Sequence, residues 1–494
     1  MIKLILLGED YEQDIRPLVL AFYPEEIITV IKTEEKECVE QPLLQIILHL
    51  LEQSFQITLT GTEVPEKTLF VSEKVILSGE IEEKKRAYRI KLQRSLYQML
   101  SEWTKKTLPW GTLTGVRPVK LVLDKLEQGI KEEKIYDFMK ETYLCSEEKI
   151  SICLEIAKRE REILDIINEE NSYSLYLGIP FCPTTCAYCS FPSYPLEHFS
   201  KLVEPYVEAL YKEILYTANR MRDRPLKTIY FGGGTPTTLT SKQLKELLKF
   251  VWNNFDCSKV EEFTVEAGRP DSITKEKLEV LKEENVTRIS INPQSMQQKT
   301  LDLIGRRHTA EQIEEAFFLA REVGHENINM DLIIGLPGET PEDVAYTLSR
   351  IKALEPDSLT VHTLARKRAA RLNTQKEQYM GLKAKEVGKM QELTRQFAKE
   401  NGYFPYYLYR QKHMEENLEN IGYAKKDKEG IYNILIMEER QTILALGSGA
   451  TSKFVFPKTG QIERVENVKS LTDYITRIDE MIQRKQMFYQ QYGQ

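Results

Sequence analysis

The sequence lacks a long apolar run and any recognisable targeting segment. No stretch of about eighteen consecutive apolar residues occurs in the chain, which excludes a transmembrane helix, and no apolar signal segment is present. The chain has only seven cysteines, an odd count that does not suit the disulfide framework of a small secreted protein. We therefore expect a soluble, cytoplasmic protein without membrane partners.

The sequence also lacks the basic excess that is typical of nucleic-acid-binding proteins. Its formal net charge is −7 at pH 7, so binding through the overall electrostatic field is not expected. One basic stretch, residues 84–94, has Tyr88 within it and Tyr97 just after it. A solvated surface between a strand and a helix is favoured for this stretch over an RNA contact. Nucleic acid is therefore not an expected partner.

The length of 494 residues, of which 41% are hydrophobic, predicts several domains with sizeable cores. We expect three domains. An N-terminal α+β domain, whose role the sequence does not indicate, spans residues 1–168, and a central α/β domain spans residues 169–371. A C-terminal α+β domain that covers the central one spans residues 372–494. The first domain should contain a strand, a helix, two extended segments and a long amphipathic helix, at residues 2–7, 42–53, 68–77, 86–92 and 146–168. The third should contain helical patterning, an apolar strand pair and a final helix, at residues 375–400, 431–446 and 471–484.

The central domain alternates strand-like with helix-like segments. Its six predicted strands are residues 174–179, 228–231, 262–266, 288–291, 327–334 and 358–362. Capping boxes start helices at Thr240 and Thr309, and Pro341 occupies a first helical position. Six apolar β-α units indicate a parallel sheet covered by helices, and they suit an incomplete (β/α)6 barrel better than an eight-stranded one. Ligands of such folds bind at the carboxyl ends of the strands.

Three cysteines with C-x3-C-x2-C spacing, Cys182, Cys186 and Cys189, follow the first of these strands directly. Three thiolates suit three irons of a [4Fe-4S] cluster and leave the fourth iron open for chemistry. A zinc site would need a fourth ligand, and the nearest candidate, His198, lies nine residues beyond Cys189. The spacing therefore favours the cluster. Four isolated cysteines are interpreted as ordinary thiols, namely Cys38, Cys145, Cys153 and Cys257.

Further candidate residues occur where other strands end. The turn from Gly232 to Pro236 follows the second strand, and it either admits a ligand to the backbone or makes a tight connection. Charged or amide residues also recur at later strand ends, where each alone is more often a helix cap or a surface ion pair. Together they would surround the opening of one binding site at the carboxyl ends of the strands. These residues are Glu266, Gln294, Arg306 and Asp331.

The order of these motifs resembles the radical S-adenosylmethionine (SAM) superfamily. Within it, the chain resembles the oxygen-independent coproporphyrinogen III oxidase-like group, in its HemZ branch. The resemblance covers residues 174–340, with weaker similarity onward to residue 450. Its motifs are Tyr176-x-Gly178-Ile-Pro-Phe-Cys182-x3-Cys186-x-Tyr188-Cys189, Gly232-Gly-Gly-Thr-Pro236, Val265-Glu266-Ala267, Asn292-Pro-Gln294-Ser295, Ile304-Gly-Arg306-Arg-His308 and Asn329-Met-Asp331-Leu-Ile-Ile-Gly-Leu-Pro-Gly338.

The resemblance implies two cofactors, a [4Fe-4S] cluster on Cys182, Cys186 and Cys189, and SAM bound at its open iron. It also implies an external electron donor and a 5′-deoxyadenosyl radical that abstracts hydrogen from the substrate. No residue is assigned a certain catalytic role. The implied SAM contacts are backbone of Gly232, Gly233, Gly234 and Thr235 at the amino group, Glu266 and Arg306 at the polar ends, Gln294 and Asp331 at the ribose, Tyr188 on the adenine side and Tyr176 on the cluster side.

The substrate implied by the resemblance is coproporphyrinogen III, two of whose propionates are oxidatively decarboxylated to vinyl groups in porphyrin and haem biosynthesis. A tetracarboxylate substrate requires cations, and tyrosines at residues 406–409 would lie against a macrocycle. A solvated basic linker and a half-buried strand are the alternative interpretations of these segments. The candidate substrate-binding residues are Arg366, Arg368, Arg371 and Arg410.

Two positions depart from the coproporphyrinogen oxidases of this group. Gly178 stands where those enzymes have histidine, and Phe191 stands where they have a fourth cysteine. Phe191 instead matches the related haem chaperones, so a haem-binding trafficking protein is an alternative function. A radical SAM enzyme that modifies nucleic acid is a second alternative.

Overall fold

A computed structural model describes residues 1–32, 42–61, 68–75, 80–167, 169–365, 367–379, 381–411, 414–456 and 459–492. The chain divides into two compact units, residues 1–154 with 410–418, and residues 155–409 with 419–494. The boundaries expected at residues 168 and 371 stay a prediction that limited proteolysis would test. Among the described residues, no helix combines the length and apolarity that crossing a bilayer requires.

The first unit contains a five-stranded sheet and four complete helices. Its elements are β1 (Ile2–Gly8), α1 (Glu12–Phe22), β2 (Ile28–Ile31), β3 (Leu44–Leu51), β4 (Ser54–Gly61), β5 (Thr68–Lys74), α2 (Ile81–Thr104), α3 (Pro118–Glu127) and α4 (Glu132–Tyr143). The strand order is β2-β1-β3-β4-β5, in which β1 runs parallel to β2 and β3. The strand predicted at residues 2–7 is confirmed, because β1 buries every second residue.

Two predictions for this unit are wrong. Residues 42–53, predicted as a helix, form β3, whose buried residues alternate along the strand in the period of two that sheets require. Residues 86–92, predicted as extended, belong to α2, where Leu92, Leu96 and Leu100 make one fully buried stripe. The charged residues 82–86 all lie exposed at the start of α2, as the solvated interpretation of this basic stretch expects.

The second unit contains the larger sheet. Its strands are β6 (Tyr173–Ile179), β7 (Phe181–Cys182), β8 (Tyr194–Pro195), β9 (Leu226–Gly233), β10 (Glu262–Gly268), β11 (Arg288–Ile291), β12 (Ile328–Ile334), β13 (Ser358–Thr363), β14 (Phe404–Tyr409), β15 (Asn420–Ala424), β16 (Thr442–Leu446), β17 (Thr451–Phe456) and β18 (Gln461–Glu466). Eleven of them form one sheet with the order β14-β15-β13-β12-β11-β10-β9-β6-β16-β17-β18, and β7 pairs with β8.

The centre of this sheet is parallel from β16 through β6 and β9 to β13. All six predicted strands are present, and β16 extends the parallel run by one. The antiparallel strands lie at the two edges. The predicted α/β class with a parallel sheet is therefore confirmed, and the carboxyl ends of its strands lie along one edge of the sheet.

Helices connect these strands. They are α5 (Glu147–Ile167), which begins in the first unit, α6 (Leu196–Phe199), α7 (Val203–Arg220), α8 (Ser241–Asn254), α9 (Lys275–Glu283), α10 (Gln298–Leu303), α11 (Ala310–Val323), α12 (Pro341–Leu354), α13 (Arg371–Thr374), α14 (Val387–Glu400), α15 (Ile431–Glu438), α16 (Leu471–Thr476) and α17 (Ile478–Tyr492). The capping boxes predicted at Thr240 and Thr309 are confirmed, and Pro341 occupies the first turn of α12.

The apolar strand pair predicted at residues 431–446 is wrong in its first half. The segment begins with the helix α15, and only its second half is the strand β16. The Glu262 carboxylate accepts hydrogen bonds from the backbone N–H groups of Ile431 at 2.7 Å and Tyr432 at 3.3 Å. A carboxylate from β10 thus caps this helix. A local sequence pattern does not predict this cap, because Glu262 lies far from residue 431 in the sequence.

Candidate active site

The three motif cysteines lie together in the loop that follows β6. Cys186 is buried, and Cys182 and Cys189 are half-buried. Two other segments hold this loop, since Ala187 donates its N–H to the Ile304 carbonyl and Leu372 donates its N–H to the Ala187 carbonyl, each at 2.9 Å. The loop is therefore braced from both sides. We call residues 182–194 the cysteine loop.

The surroundings of the thiols favour a positively charged ligand. Burial raises the pKa of Cys182 to about 12 and also raises the pKa of Cys189. The Thr235 hydroxyl lies 3.7 Å from the Cys182 sulfur, and an Arg269 nitrogen lies 3.8 Å from the Cys186 sulfur. Buried thiolates become stable when a metal binds them, so iron would supply the missing charge.

Among the residues that the structure describes, no three His, Cys, Asp or Glu side chains converge on one metal position. Three thiolates that bind three different irons of a cluster need not converge on a point.

The glycine turn after β9 packs directly against the cysteine loop. A Cβ atom on Gly234 would lie 2.5 Å from the Phe181 carbonyl oxygen and 3.0 Å from the Cys182 sulfur. Gly233 has a φ of +108°, which side chains disfavour. The N–H groups of Gly234 and Thr235 donate to the carbonyls of Ile179 and Phe181 at 2.8 and 2.7 Å. These two amides are thus used within the protein. A ligand amino group is a hydrogen-bond donor and would bind carbonyl oxygens of this turn.

Glu266 stands at the carboxyl end of β10, beside this turn. Its carboxylate accepts a hydrogen bond of 2.6 Å from the Tyr230 hydroxyl. Burial raises the pKa of Glu266 to about 7, the Tyr230 hydrogen bond opposes this rise, and the charge of Asp331 adds to it. A buried carboxylate with so few donors gains strongly from a cation, such as the amino group of a ligand.

Gln294 and Asp331 are brought together by their backbones. Gln294 donates its N–H to the Asp331 carbonyl, and Ile333 donates to the Gln294 carbonyl, each at 2.9 Å. Gln294 has a φ of +66°, a strained conformation for a residue other than glycine. Its buried side-chain Oε1 has no hydrogen-bond partner among the described residues. An unsatisfied amide oxygen in a strained turn indicates that a ligand hydroxyl or amine completes this position.

Asp331 is held in its ionised form. Burial raises its pKa, but contacts with His362 and Asn329 outweigh burial, so that the pKa of Asp331 is lowered overall. The Asn329 amide donates to one oxygen at 2.7 Å, and a His362 nitrogen lies 3.9 Å from the other. The Asp331 carboxylate and the neighbouring Gln294 amide are suited to the two hydroxyls of a ribose.

Arg306 links the cysteine loop to the loop after β11. It donates to the Tyr188 hydroxyl at 3.0 Å and to the Asn292 carbonyl. Burial opposes its charge, but the Tyr188 oxygen and the Cys186 sulfur nearby raise the pKa of Arg306 overall. Its buried Nε has no partner among the described residues, so one donor is left for a ligand.

Tyr176 belongs to a group of three stacked tyrosines. Its ring centroid lies 6.1 Å from that of Tyr230 and 6.4 Å from that of Tyr432, and the last two are 4.5 Å apart. Sequence reasoning missed Tyr230, although it is the register partner of Tyr176 on the neighbouring strand. It also missed Arg269, which directly follows β10 and donates to Thr184 of the cysteine loop at 2.7 Å.

Three of the four candidate substrate arginines lie in the described part of the chain, and their surroundings differ. Arg366 lies outside the described residues, and Arg368 is exposed. Arg371 donates to the Thr185 carbonyl at 2.6 Å and therefore braces the cysteine loop. Arg410 is buried in the first unit, where it donates to the Leu113 carbonyl and to Asn417, and its assignment to the substrate stays a prediction. The tyrosines at residues 406 and 407 are buried as well.

Comparisons with known proteins agree with this arrangement. The sequence model of the Radical SAM superfamily matches residues 176–351. The oxygen-independent coproporphyrinogen-III oxidase-like protein HemZ of Bacillus subtilis is 40% identical over 458 residues, which cover 92% of this chain and 91% of that protein. The heme chaperone HemW of the same organism is 38% identical over 192 residues, or 39% of this chain and 50% of the chaperone.

The oxidase and its structure extend the comparison. The oxygen-independent coproporphyrinogen III oxidase of Escherichia coli is 35% identical over 196 residues, or 40% of this chain and 42% of the oxidase. The solved structure of coproporphyrinogen III oxidase (HemN) from that organism aligns with a TM-score of 0.53 and 26% identity, over 65% of this chain and 72% of that one. The likeness in fold thus extends beyond the cofactor motifs.

Proposed function

Because this chain belongs to the radical SAM superfamily, and within it to the oxygen-independent coproporphyrinogen-III oxidase-like proteins, we propose that it oxidatively decarboxylates coproporphyrinogen III. Proteins of this superfamily use a [4Fe-4S] cluster and SAM, which together supply a 5′-deoxyadenosyl radical for hydrogen abstraction. The observation that carries the proposal is the gathering of the cysteine loop, Glu266, Gln294 and Asp331 at one edge of the parallel sheet.

The residues present at this edge fit the two cofactors. Cys182, Cys186 and Cys189 would hold the cluster, since they are the thiols of one braced loop. The unpartnered Oε1 of Gln294 and Nε of Arg306 are polar atoms that a bound ligand would satisfy. The fit supports cofactor binding independently of the comparisons.

Each group would receive its own part of SAM. Glu266 and the carbonyls of Gly232, Gly233 and Gly234 would bind the amino group, and Arg306 would bind the carboxylate. Gln294 and Asp331 would bind the ribose hydroxyls, while Tyr188 would lie on the adenine side and Tyr176 on the cluster side. Thr235 would act through its contact with Cys182.

Other side chains of the chain would orient these groups. The Tyr230 hydroxyl fixes one rotamer of Glu266, because its hydrogen bond of 2.6 Å holds the carboxylate from one side. Arg269 ties the cysteine loop to the end of β10 through Thr184 and is itself held by Asp271 at 2.7 Å. These contacts would pre-organise the cofactor site before the substrate enters.

The substrate part of the proposal rests on the relatives and not on the arginines. The oxidase from Escherichia coli shares its fold with this chain at 26% identity, and its name states the substrate. Arg371 and Arg410 each donate to a backbone carbonyl, that of Thr185 and that of Leu113, so the structure adds no support for their binding a propionate. We therefore assign no residue of this chain to the propionates.

An anaerobic turnover assay tests the proposal. Reconstituted protein is mixed with SAM, dithionite and coproporphyrinogen III, and 5′-deoxyadenosine and the divinyl product are measured together. We expect both products, with one 5′-deoxyadenosine for each propionate that becomes a vinyl group. Formation of 5′-deoxyadenosine without divinyl product would retain the radical chemistry and reject the substrate.

One observation favours haem binding as a second candidate function. Phe191, two residues after the last cysteine of the motif, is 71% exposed, which leaves an apolar ring free to cover a flat ligand. The match to the heme chaperone HemW over 39% of this chain points the same way. A haem titration followed by absorbance would support this function if haem binds tightly and no divinyl product forms.

A further inference from the structure

The arginine that directly follows β10 lies against the cysteine loop. Arg269 is buried, and its Nη1 atom donates to the Thr184 hydroxyl at 2.7 Å and to the Thr184 carbonyl at 3.1 Å. The same nitrogen lies 3.8 Å from the sulfur of Cys186. One guanidinium nitrogen thus makes all three of these contacts with the loop that carries the thiols.

The other two nitrogens of Arg269 are held by one carboxylate. Nε donates to one oxygen of Asp271 at 3.0 Å, and Nη2 donates to the other oxygen at 2.7 Å. This two-point contact fixes the plane of the guanidinium group and therefore the direction of Nη1. The Arg269 side chain is 4% exposed and that of Asp271 is 24% exposed. The positive member of the ion pair is thus the more buried one, and it is the member in contact with Cys186.

Arg269 differs from the other arginine beside Cys186. Burial lowers the pKa of Arg306, but neighbours that include Cys186 raise it overall. The Nε of Arg306 has no partner among the described residues, and in the proposed function this side chain binds the carboxylate of SAM. Each of the three nitrogens of Arg269 instead contacts another group of the protein. Arg269 is therefore suited to act on the thiols themselves.

The three thiols have unequal neighbours. The Cys182 sulfur lies 3.7 Å from the hydroxyl of Thr235, which is a neutral donor. Burial raises the pKa of Cys189, and a backbone hydrogen bond opposes this rise. Arg269 brings a charged donor to Cys186. Because an ionised donor interacts with a thiolate more strongly than a neutral one, the contact with Arg269 should have the largest electrostatic effect of the three.

Reduction of a cluster on these thiols adds one electron and one negative charge, and it transfers no proton. A positive charge beside a thiolate ligand favours the reduced form and so raises the reduction potential, and a hydrogen bond to the sulfur acts in the same direction. We propose that the Arg269–Asp271 pair sets the reduction potential of the cluster through the contact of Arg269 with Cys186. The inference rests on the proposed function only in taking a [4Fe-4S] cluster as the ligand of the cysteines.

Two substitutions with opposite effects on charge test the proposal. Arg269→Gln removes the positive charge and leaves the carboxylate, so the reduction potential should fall. Asp271→Asn removes the negative charge and leaves the guanidinium group, so the potential should rise. If Arg269 only braced the loop, the two substitutions would not shift the potential in opposite directions. The potentials are measured by redox titration of the full-length reconstituted protein without SAM, followed by electron paramagnetic resonance of the reduced cluster.

We expect the ratio of reduced to oxidised cluster at a fixed potential to change about tenfold in each variant, which corresponds to about 59 mV for one electron. Arg269→Lys keeps the charge and should restore more than half of the shift. The matched control is another arginine–aspartate pair, Arg321 and Asp357, whose contact of 2.8 Å lies at the amino end of β13. Arg321→Gln and Asp357→Asn should leave the potential unchanged.

Iron content is determined for every variant. If Arg269→Gln binds no iron, Asp271→Asn and Arg269→Lys still test the direction of the shift. Unchanged potentials in Arg269→Gln and Asp271→Asn would overturn the inference, and so would shifts of the same sign in both. Failure of the proposed function has a different signature, in which the wild-type cluster titrates normally and the two variants shift as expected, but coproporphyrinogen III yields no divinyl product.

Discussion

Two glutamates on the same strand, Glu262 and Glu266 of β10, are surrounded in opposite ways. Glu262, at the amino end, accepts hydrogen bonds from Ile431, Tyr432 and Thr264, and it caps the helix α15. Glu266, at the carboxyl end, accepts one hydrogen bond from Tyr230, and burial raises its pKa to about 7. Donors of the protein itself surround Glu262, whereas Glu266 accepts a single hydrogen bond and can still accept a donor from a ligand.

The largest effect should come from removing a ligand at the carboxyl end. Cys186→Ala is expected to abolish the iron–sulfur absorbance of the reconstituted protein and all cleavage of SAM, because two thiols cannot hold the cluster. Cys257→Ala, which alters a half-buried thiol outside the motif, is the matched control and should keep both. A Cys186→Ala protein with a full complement of iron would reject the ligand assignment.

A methyl group at the glycine turn should have the next largest effect. In Gly234→Ala the new Cβ would lie 2.5 Å from the Phe181 carbonyl oxygen, so the cysteine loop must shift. Displacement of a reacting group by about 1 Å typically costs about a hundredfold in rate, and we expect a loss of this size in 5′-deoxyadenosine formation.

Gly178→Ala is the control for this change. A Cβ at that position would meet nothing nearer than 3.4 Å, an ordinary contact. The Gly178→Ala protein should therefore keep its cluster and its rate of SAM cleavage. Equal losses in the two variants would show that the turn does not act through its contact with the cysteine loop.

The two glutamates themselves provide a matched pair. Glu266→Gln should raise the KM for SAM about tenfold to a hundredfold, since it removes a charge-assisted hydrogen bond to the ligand. Glu262→Gln should leave that KM unchanged and lower the free energy of unfolding by about 1 kcal/mol, because it weakens a helix cap. Steady-state kinetics and chemical denaturation measure the two effects. A similar change in KM for both variants would contradict the proposed difference between the amino and carboxyl ends of β10.

The smallest effect concerns the donor that orients Glu266. Tyr230→Phe should raise the KM for SAM by several fold, in line with about 1 kcal/mol for one hydrogen bond. In the free wild-type protein, Glu266 is ionised above its pKa of about 7, so the affinity for the cationic ligand should rise as the pH increases through 7.

Tyr230→Phe should also shift the pH dependence of the affinity for SAM in a defined direction. The Tyr230 hydrogen bond lowers the pKa of Glu266, and its loss should move the rise in affinity to higher pH. The dependence of KM on pH, measured in both proteins, checks the direction. A midpoint that moves to lower pH in Tyr230→Phe would count against this role of Tyr230.

The sequence was informative where structure is local. The strands β6 and β9 to β13 were predicted because each is a short apolar run, and the capping boxes at Thr240 and Thr309 act within one turn of their helices. The expectation that candidate residues lie near the carboxyl ends of neighbouring parallel strands agrees with Gly232 in β9 and Glu266 in β10, whereas Arg306 follows the helix α10.

The errors arose where distant contacts decide the outcome. The apolar residues of α15 read as a strand, because the carboxylate that caps the helix comes from Glu262, far away in the sequence. Tyr230 was missed because its partner Glu266 lies on the next strand.

Electron paramagnetic resonance of the reduced protein, with and without SAM, tests the central claim most directly. If the cysteine loop holds a cluster with an open iron and the strand ends bind SAM, added SAM will change the g values of the reduced cluster. In Glu266→Gln the same change should require a higher concentration of SAM. A cluster spectrum that saturating SAM leaves unaltered in the wild-type protein would contradict the account.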